Sequence, residues 1–430
     1  MNLFQEVFPQ DHIPLSLFED DFVPINLPDD IWITDTTFRD GQQARAPFSR
    51  DEILNLFDLI HQLDGDTGMI RQSEFFLYSG QDREIIKMCK EKGYKYPEVV
   101  GWIRAKEEDL ALVKDLNLRE VGILTSISDY HIYLKLKSDR TTAISNYLKV
   151  IDKALELGIV PRCHFEDITR ADFYGVVVPF VKELLRRQED SGIPIKIRLC
   201  DTLGFGIPFP NAKLPRSVPK LISYLIKETG ISSAQLEWHG HNDFHYGLVN
   251  GIAAWLYGAS SVNGTLFGIG ERTGNTPIEA LMIHYLSVKG PVKKPNLKKI
   301  MEIRRFFEER LSYHIPDNYP FVGREAFSTR AGIHADGLLK DHRIYNIFNT
   351  EKILGQTPKV LINNRSGKAG VAYWINKRLN NINGNKISKD DQRVIRIYEE
   401  ISREYRGGRT TAISEEEMED LFNKYFYYKE

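Results

Sequence analysis

The chain has 430 residues, is 42% hydrophobic and 27% charged, and carries a formal net charge of −2. Such a composition is ordinary for a soluble globular protein with room for one large domain and a smaller one. Near-neutrality without a basic arm argues against nucleic acid as a partner. The three cysteines, Cys89, Cys163 and Cys200, are odd in number and far apart. They suit a cytoplasmic setting and exclude a disulfide framework or a paired CxxC zinc site. No apolar run reaches membrane-spanning length, and the stretch Met1-Asn2-Leu3-Phe4-Gln5-Glu6 lacks the pattern of a signal peptide.

Residues 1–29, with several prolines and acidic groups, read as an N-terminal extension. From about residue 30 to 290, short apolar runs alternate with helical patterns. The predicted strands cover 31–34, 69–72, 98–103, 120–124, 160–165, 195–200, 236–239 and 261–266. Between the first two, Ser49 and Glu52 form a capping box ahead of Ile53, Leu56, Phe57 and Ile60. A further helix is expected from about Thr142, closing at Gly158. After the eighth strand, Thr276-Pro277-Ile278-Glu279 reads as a capping box with proline at the first helical position. Eight consecutive βα units predict a closed (β/α)₈ TIM barrel over 30–290. The alternative, an open doubly wound sheet, lacks a G-x-G-x-x-G after the first strand. Residues 291–349 are expected to form a linker with an amphipathic helix at 296–313 and a functional loop at 321–345. Residues 350–430 read as a small, mostly helical region with a break at Gly407-Gly408.

Active-site groups of such barrels gather at the C-terminal ends of the strands. There the sequence places Asp40, Arg71, Asp129 with His131, Glu166 with Asp167, Asp201 with Thr202, His239 with His241, and Asn275. On a strand, residues i and i+2 face the same side, so His239 and His241 can grip one ion. Asn242 and Asp243 would then fix the imidazoles. Arg39 either pairs with a rim carboxylate or serves the reaction. Glu166 either pairs with Arg170 or faces substrate, and Thr202 either caps a helix or binds substrate.

In chain order the motifs are Asp35-Thr36-Thr37-Phe38-Arg39-Asp40-Gly41, Phe165-Glu166-Asp167-Ile168-Thr169-Arg170, Asp201-Thr202-Leu203-Gly204, His239-Gly240-His241-Asn242-Asp243 and Gly270-Glu271-Arg272-Thr273-Gly274-Asn275. Downstream stand Ala331-Gly332-Ile333-His334-Ala335-Asp336-Gly337 and Ser366-Gly367-Lys368-Ala369-Gly370-Val371-Ala372. Together they resemble the metal-dependent acyl-CoA condensing enzymes: the 2-isopropylmalate, homocitrate, citramalate and Re-type citrate synthases. The HMG-CoA lyases are more distant relatives. The resemblance implies a Claisen condensation of acetyl-CoA with a 2-oxo acid and release of CoA. It implies a divalent metal (Mn²⁺, Mg²⁺, Zn²⁺ or Co²⁺) on Asp40, His239, His241 and Asn275. It makes Arg39, Glu166, His334 and Tyr345 catalytic, places Gln43, Arg71 and Thr202 on the substrate, and implies a homodimer.

Three departures bear on the substrate. Gln42-Gln43 stands where leucine-pathway synthases have Glu-Gln, and Arg71-Gln72-Ser73-Glu74-Phe75 replaces their apolar pocket sequence. About 55 residues follow Ser366–Ala372, too few for a leucine-sensing domain. The chain therefore resembles a Re-type citrate synthase most, with Arg71 either the reader of an extra substrate carboxylate or a structural ion pair with Glu74 or a neighbour. The alternatives are 2-isopropylmalate synthase, homocitrate synthase, and a lyase or aldolase. The last is disfavoured because no cysteine lies in the loop after the eighth strand.

Overall fold

The computed structural model describes residues 1–2, 17–380 and 386–427. It divides into two compact units, Met1–Asn296 and Leu297–Glu430. The N-terminal extension is therefore described only at residues 1–2 and from residue 17 onward.

In the first unit eight parallel strands close into a barrel, β1 pairing with both β2 and β8. They are β1 (Trp32–Asp35), β2 (Ile70–Phe76), β3 (Glu98–Arg104), β4 (Glu120–Ser126), β5 (Val160–Glu166), β6 (Lys196–Asp201), β7 (Leu236–Gly240) and β8 (Ser261–Gly264). The helices between and after them are α1 (Arg50–Asp64), α2 (Gly80–Glu91), α3 (Leu110–Asp115), α4 (Arg140–Glu156), α5 (Val178–Ser191), α6 (Val218–Thr229), α7 (Gly247–Leu256) and α8 (Ile278–Lys289). The TIM barrel read from the sequence is thus the fold, and a mostly helical C-terminal region follows it.

The start of α1 carries the Ser49–Glu52 capping box, and Gly65 closes the helix in the left-handed region. Asp139 caps α4 by accepting from the Thr142 amide. The start of α8 differs from expectation. Pro277 is the cap residue, and Glu279 accepts from the Phe267 amide rather than closing a capping box. That bond ties the strand-8 loop to the helix.

The second strand also differs. It runs to Phe76, four residues beyond the predicted end, because Glu74 interrupts the apolar run yet faces the barrel interior. Arg71 consequently lies at the N-terminal end of β2, away from the rim where active sites form.

The barrel interior is charged as well as apolar. Glu74 pairs with Arg39 and with Arg198, the latter at 2.9 Å. Arg198 also pairs with Glu237 at 2.6 Å, and Arg162 joins Glu237 to Glu120. All five of these interior residues below Arg39 are buried. Charges without water are tolerable only when paired in this way.

The second unit contains α9 (Lys299–Glu309), β9 (Ser328–Thr329), α10 (Gly332–Lys340), α11 (Thr350–Leu354), β10 (Lys359–Val360), α12 (Gly367–Arg378), α13 (Gln392–Arg406) and α14 (Glu415–Phe426). Its core joins Ala335 and Leu338 of α10 to α12, α13 and α14. Contacts thus tie the expected linker and the expected C-terminal region into one unit. The break at Gly407-Gly408 separates α13 from α14. No helix among the described residues is long and apolar enough to cross a membrane.

Candidate metal centre

Asp40 follows β1 on a single wide helical turn, Thr37–Gly41, whose amides bond back to the Thr36 carbonyl. His239 is the penultimate residue of β7, and His241 lies just beyond the strand end. One ligand atom from each of the three groups lies within 4.8 Å of the others. Asp40 Oδ2 is 3.3 Å from His239 Nε2. The Asn275 amide donates to Asp40 Oδ2 at 2.8 Å, so the fourth expected ligand joins the cluster.

Two glycines make that approach possible. A Cβ on Gly270 would stand 1.7 Å from Asn275 Oδ1. Gly274 sits at φ +85°, and a Cβ there would stand 2.0 Å from the Gly268 carbonyl. The Asn275 amide then bonds to the Gly268 carbonyl at 2.9 Å, and the Asn242 amide to the Gly274 carbonyl at 3.0 Å.

Electrostatics prepare these groups for a cation. Burial alone would raise the Asp40 carboxyl, but Arg39, His239 and His241 beside it hold it well below the usual carboxylate range. Burial pushes the His239 imidazole down. Burial and the neighbouring His239 push His241 down to about 4. One carboxylate and two neutral imidazoles are the protonation states that metal ligation requires. The donor set fits a divalent ion on a further observation. His241 Nδ1 and Asn275 Oδ1 are buried with no hydrogen-bond partner among the described residues, which is costly unless something else binds them.

Asn263 Oδ1 on β8 accepts from His239 Nδ1–H at 2.7 Å, leaving Nε2 toward Asp40. Fixing one imidazole nitrogen so that the other can ligate is the usual supporting contact of a metal histidine. Neither Asn263 nor the pair Glu74 and Arg198 was singled out by sequence reasoning. For Arg198 and Asn263 the signal was present as polar residues two apart on predicted strands, Lys196 with Arg198 and Ser261 with Asn263, whereas Glu74 lies beyond the predicted end of the second strand. Asn242 and Asp243 act elsewhere than expected. Asn242 accepts from the Gly247 amide at the start of α7, and Asp243 pairs with Arg272 at 2.8 Å.

Arg39 is held by Glu74 and Asp40, and its guanidinium lies 5.6 Å from the Trp102 ring centroid. Glu166 pairs with His131 at 2.9 Å and Lys135 at 2.8 Å, not with Arg170, which pairs with Asp167. Burial opposes its ionisation, but His131 and Lys135 hold it at about 2. Thr202 uses its hydroxyl to accept from the Asp167 amide at 2.9 Å. Gln43 is exposed, while its neighbour Gln42 bonds to Phe38 and Phe48.

The structure corrects the reading of Arg71. It pairs with Asp30 at 2.6 Å and lies over the Trp32 ring at 4.2 Å, at the end of the barrel opposite the ligands. The four added residues of β2 are what displace it. In the second unit His334 and Tyr345 meet, their ring centroids 4.4 Å apart, and Thr329 Oγ1 lies 3.1 Å from His334 Nδ1. His334 is on the first turn of α10 rather than in a loop.

A closed parallel barrel whose C-terminal rim carries a buried Asp-His-His-Asn cluster defines a class of metal-supported barrel enzymes. The HMGL-like family model matches residues 30–307, and the chain belongs to that family. A second model, the homocitrate synthase post-HMGL domain-like region, matches residues 321–403. The chain is 50% identical to the citrate (Re)-synthase of Syntrophus aciditrophicus (strain SB), over 99% of this chain and 67% of that one. It is 49% identical to the citrate (Re)-synthase of Clostridium kluyveri, over 98% of this chain and 93% of that one. Among solved structures, hydroxymethylglutaryl-CoA lyase from Pseudomonas aeruginosa matches 67% of this chain and 95% of its own, at TM-score 0.53 and 15% identity, a likeness of fold.

Proposed function

We propose that this protein condenses acetyl-CoA with oxaloacetate, releasing citrate and CoA. The observation that carries the choice of acceptor is the near-50% identity to two citrate (Re)-synthases over almost the whole chain. The reading places one divalent ion on Asp40, His239, His241 and Asn275. Mixed nitrogen and oxygen ligation suits Mn²⁺, Mg²⁺, Zn²⁺ or Co²⁺. When bound, such an ion supplies Lewis-acid polarisation and a template for the 2-oxo acid.

The chain's own residues supply the rest. A base removes a methyl proton from the acetyl group, the resulting carbon nucleophile bonds to the ketone carbon, and the ketone oxygen becomes an oxyanion that takes up a proton. Water then cleaves the thioester to a carboxylate and CoA. Arg39, fixed by Glu74 and Asp40, stabilises the oxyanion. Glu166, held ionised by His131 and Lys135, is too weak a base at neutral pH and instead orients the acyl end. Proton transfer falls to His334 and Tyr345, whose rings are already in contact. The Thr202 hydroxyl, which donates to the Cys200 carbonyl at a long 3.4 Å, turns its proton to a substrate carboxylate, and Gln43 is a further substrate contact on the exposed side.

With Arg71 at the far end, the distal carboxylate of oxaloacetate needs another reader. Arg198 Nη2 and His164 Nε2 make no hydrogen bond among the described residues, although Arg198 is paired through its other nitrogens with Glu74 and Glu237 and His164 Nε2 lies 3.5 Å from Glu74 Oε2; His164 lies on β5 two residues below Glu166. We assign them that role. A homodimer in a cytoplasmic setting belongs to the same reading. The homodimer is supported by two exposed aliphatic side chains in the segment that carries His334 and Tyr345, Ile333 at 75% and Ile347 at 68% exposure.

The test is acetyl-CoA-dependent thiol release with oxaloacetate, 2-oxoisovalerate, 2-oxoglutarate and pyruvate. The expected outcome is a preference for oxaloacetate with citrate as product. A preference for 2-oxoisovalerate or 2-oxoglutarate would replace this reading with isopropylmalate or homocitrate synthase.

A further inference from the structure

The C-terminal unit contains a cavity of about 700 Å³ that the condensation does not use. Its walls are β10, the C-terminal half of α12 and the start of α14. Ile362, Ile413 and Met418 give it a buried apolar wall. Lys359 and Lys377 give it a cationic one.

The charges are unevenly matched. Arg378 is neutralised by Glu419 at 2.6 Å, and Glu415 accepts from the Trp374 indole at 3.2 Å. Lys377 Nζ donates to the Pro358 carbonyl at 3.1 Å, a neutral partner, and Lys359 is exposed without an ion pair among the described residues. Burial and the repulsion of Lys359 both push the Lys377 ammonium below its ordinary range, with Glu415 and Glu351 only partly opposing. Set against the single Glu415 carboxylate of the lining, the two ammonium groups leave the cavity wall net positive, which raises the local potential for an anion. An apolar wall beside them selects an anion with an apolar body, the usual division of labour in small-molecule pockets.

We propose that this cavity is a binding site for a small amphipathic anion, a carboxylate or phosphate monoester on an apolar body, its head held by Lys359 and Lys377. The apolar body lies against Ile413 and Met418. Trp374, whose indole bonds to Glu415 at the cavity wall, reports on occupancy.

The experiment uses the full chain and follows Trp374 emission, isolated by subtracting a Trp374→Phe control. Hexanoate and phenyl phosphate are titrated at constant ionic strength, with hexanol as the neutral comparison. Saturable change with at least one anion is expected, together with binding about tenfold or more weaker in Lys359→Glu. Hexanoate alone would identify the head as a carboxylate, phenyl phosphate alone as a phosphate. His239→Ala/His241→Ala should bind the anion as wild type does, which separates this site from the metal centre. Lys359 is exposed, so its variant keeps the fold, and a thermal melt checks that. Saturation with neither anion, equal binding of hexanol, or unchanged affinity in Lys359→Glu would overturn the assignment.

Discussion

At the scale of single residues, the candidate metal centre rests on contacts that each admit a substitution. Asn263 fixes His239 through Nδ1. Asn263→Ala should weaken metal affinity by about 10–100-fold, the usual worth of such a supporting contact. The measurement is competition with a chelator, and unaltered affinity would remove Asn263 from the site. His334→Ala should lower kcat by about 10²–10⁴-fold with little change in binding of the 2-oxo acid; near-wild-type turnover would exclude it from proton transfer. Substrate reading gives a paired expectation. His164→Ala should reduce kcat/KM for oxaloacetate by about 10–150-fold, the value of about 1.5–3 kcal/mol for a hydrogen bond to a charged group. Arg71→Leu, at the far end of the barrel, should leave it unchanged. The reverse pattern in steady-state kinetics would restore Arg71 to the substrate.

At the scale of elements, the interior of the barrel is held by paired opposite charges on β2, β4, β5, β6 and β7. Burial opposes ionisation of Glu237, but Arg162 and Arg198 hold it at about 2. A carboxylate with a depressed value gives stability that is present above its unfolded value near 4.5 and is lost as pH falls through 2. Glu237→Gln should therefore flatten part of the acid denaturation curve below about pH 4.5. It should also destabilise the protein at neutral pH by about 1–3 kcal/mol, because two buried guanidinium groups each lose one of their two carboxylate partners. Denaturant unfolding at two pH values checks both. The eight strands were legible because their apolar runs recur at βα spacing, and the ligands because Asp40, His239, His241 and Asn275 follow such runs. The extent of β2 was not legible. Glu74 reads locally as a strand terminator, and only Arg39 and Arg198, distant in sequence, make it an interior residue. That one misjudged strand end carried Arg71 to the wrong face. His334 was taken for a loop residue because α10 is only nine residues long and begins in a glycine-rich motif.

At the scale of the whole molecule, the charged interior positions Arg39, the rim gathers the candidate ligands, and the likeness to citrate (Re)-synthases supports condensation of acetyl-CoA with a 2-oxo acid. The central claim is that condensation needs the ion held by Asp40, His239, His241 and Asn275. The direct measurement is oxaloacetate-dependent CoA release from acetyl-CoA by chelator-stripped protein, re-titrated with Mn²⁺ or Co²⁺ while bound metal is counted. Activity should be absent at first and rise in proportion to occupancy, reaching its plateau at one ion per chain, with His239→Ala/His241→Ala showing neither binding nor recovery. Full CoA release by the stripped protein, or recovery in the double variant, would contradict it.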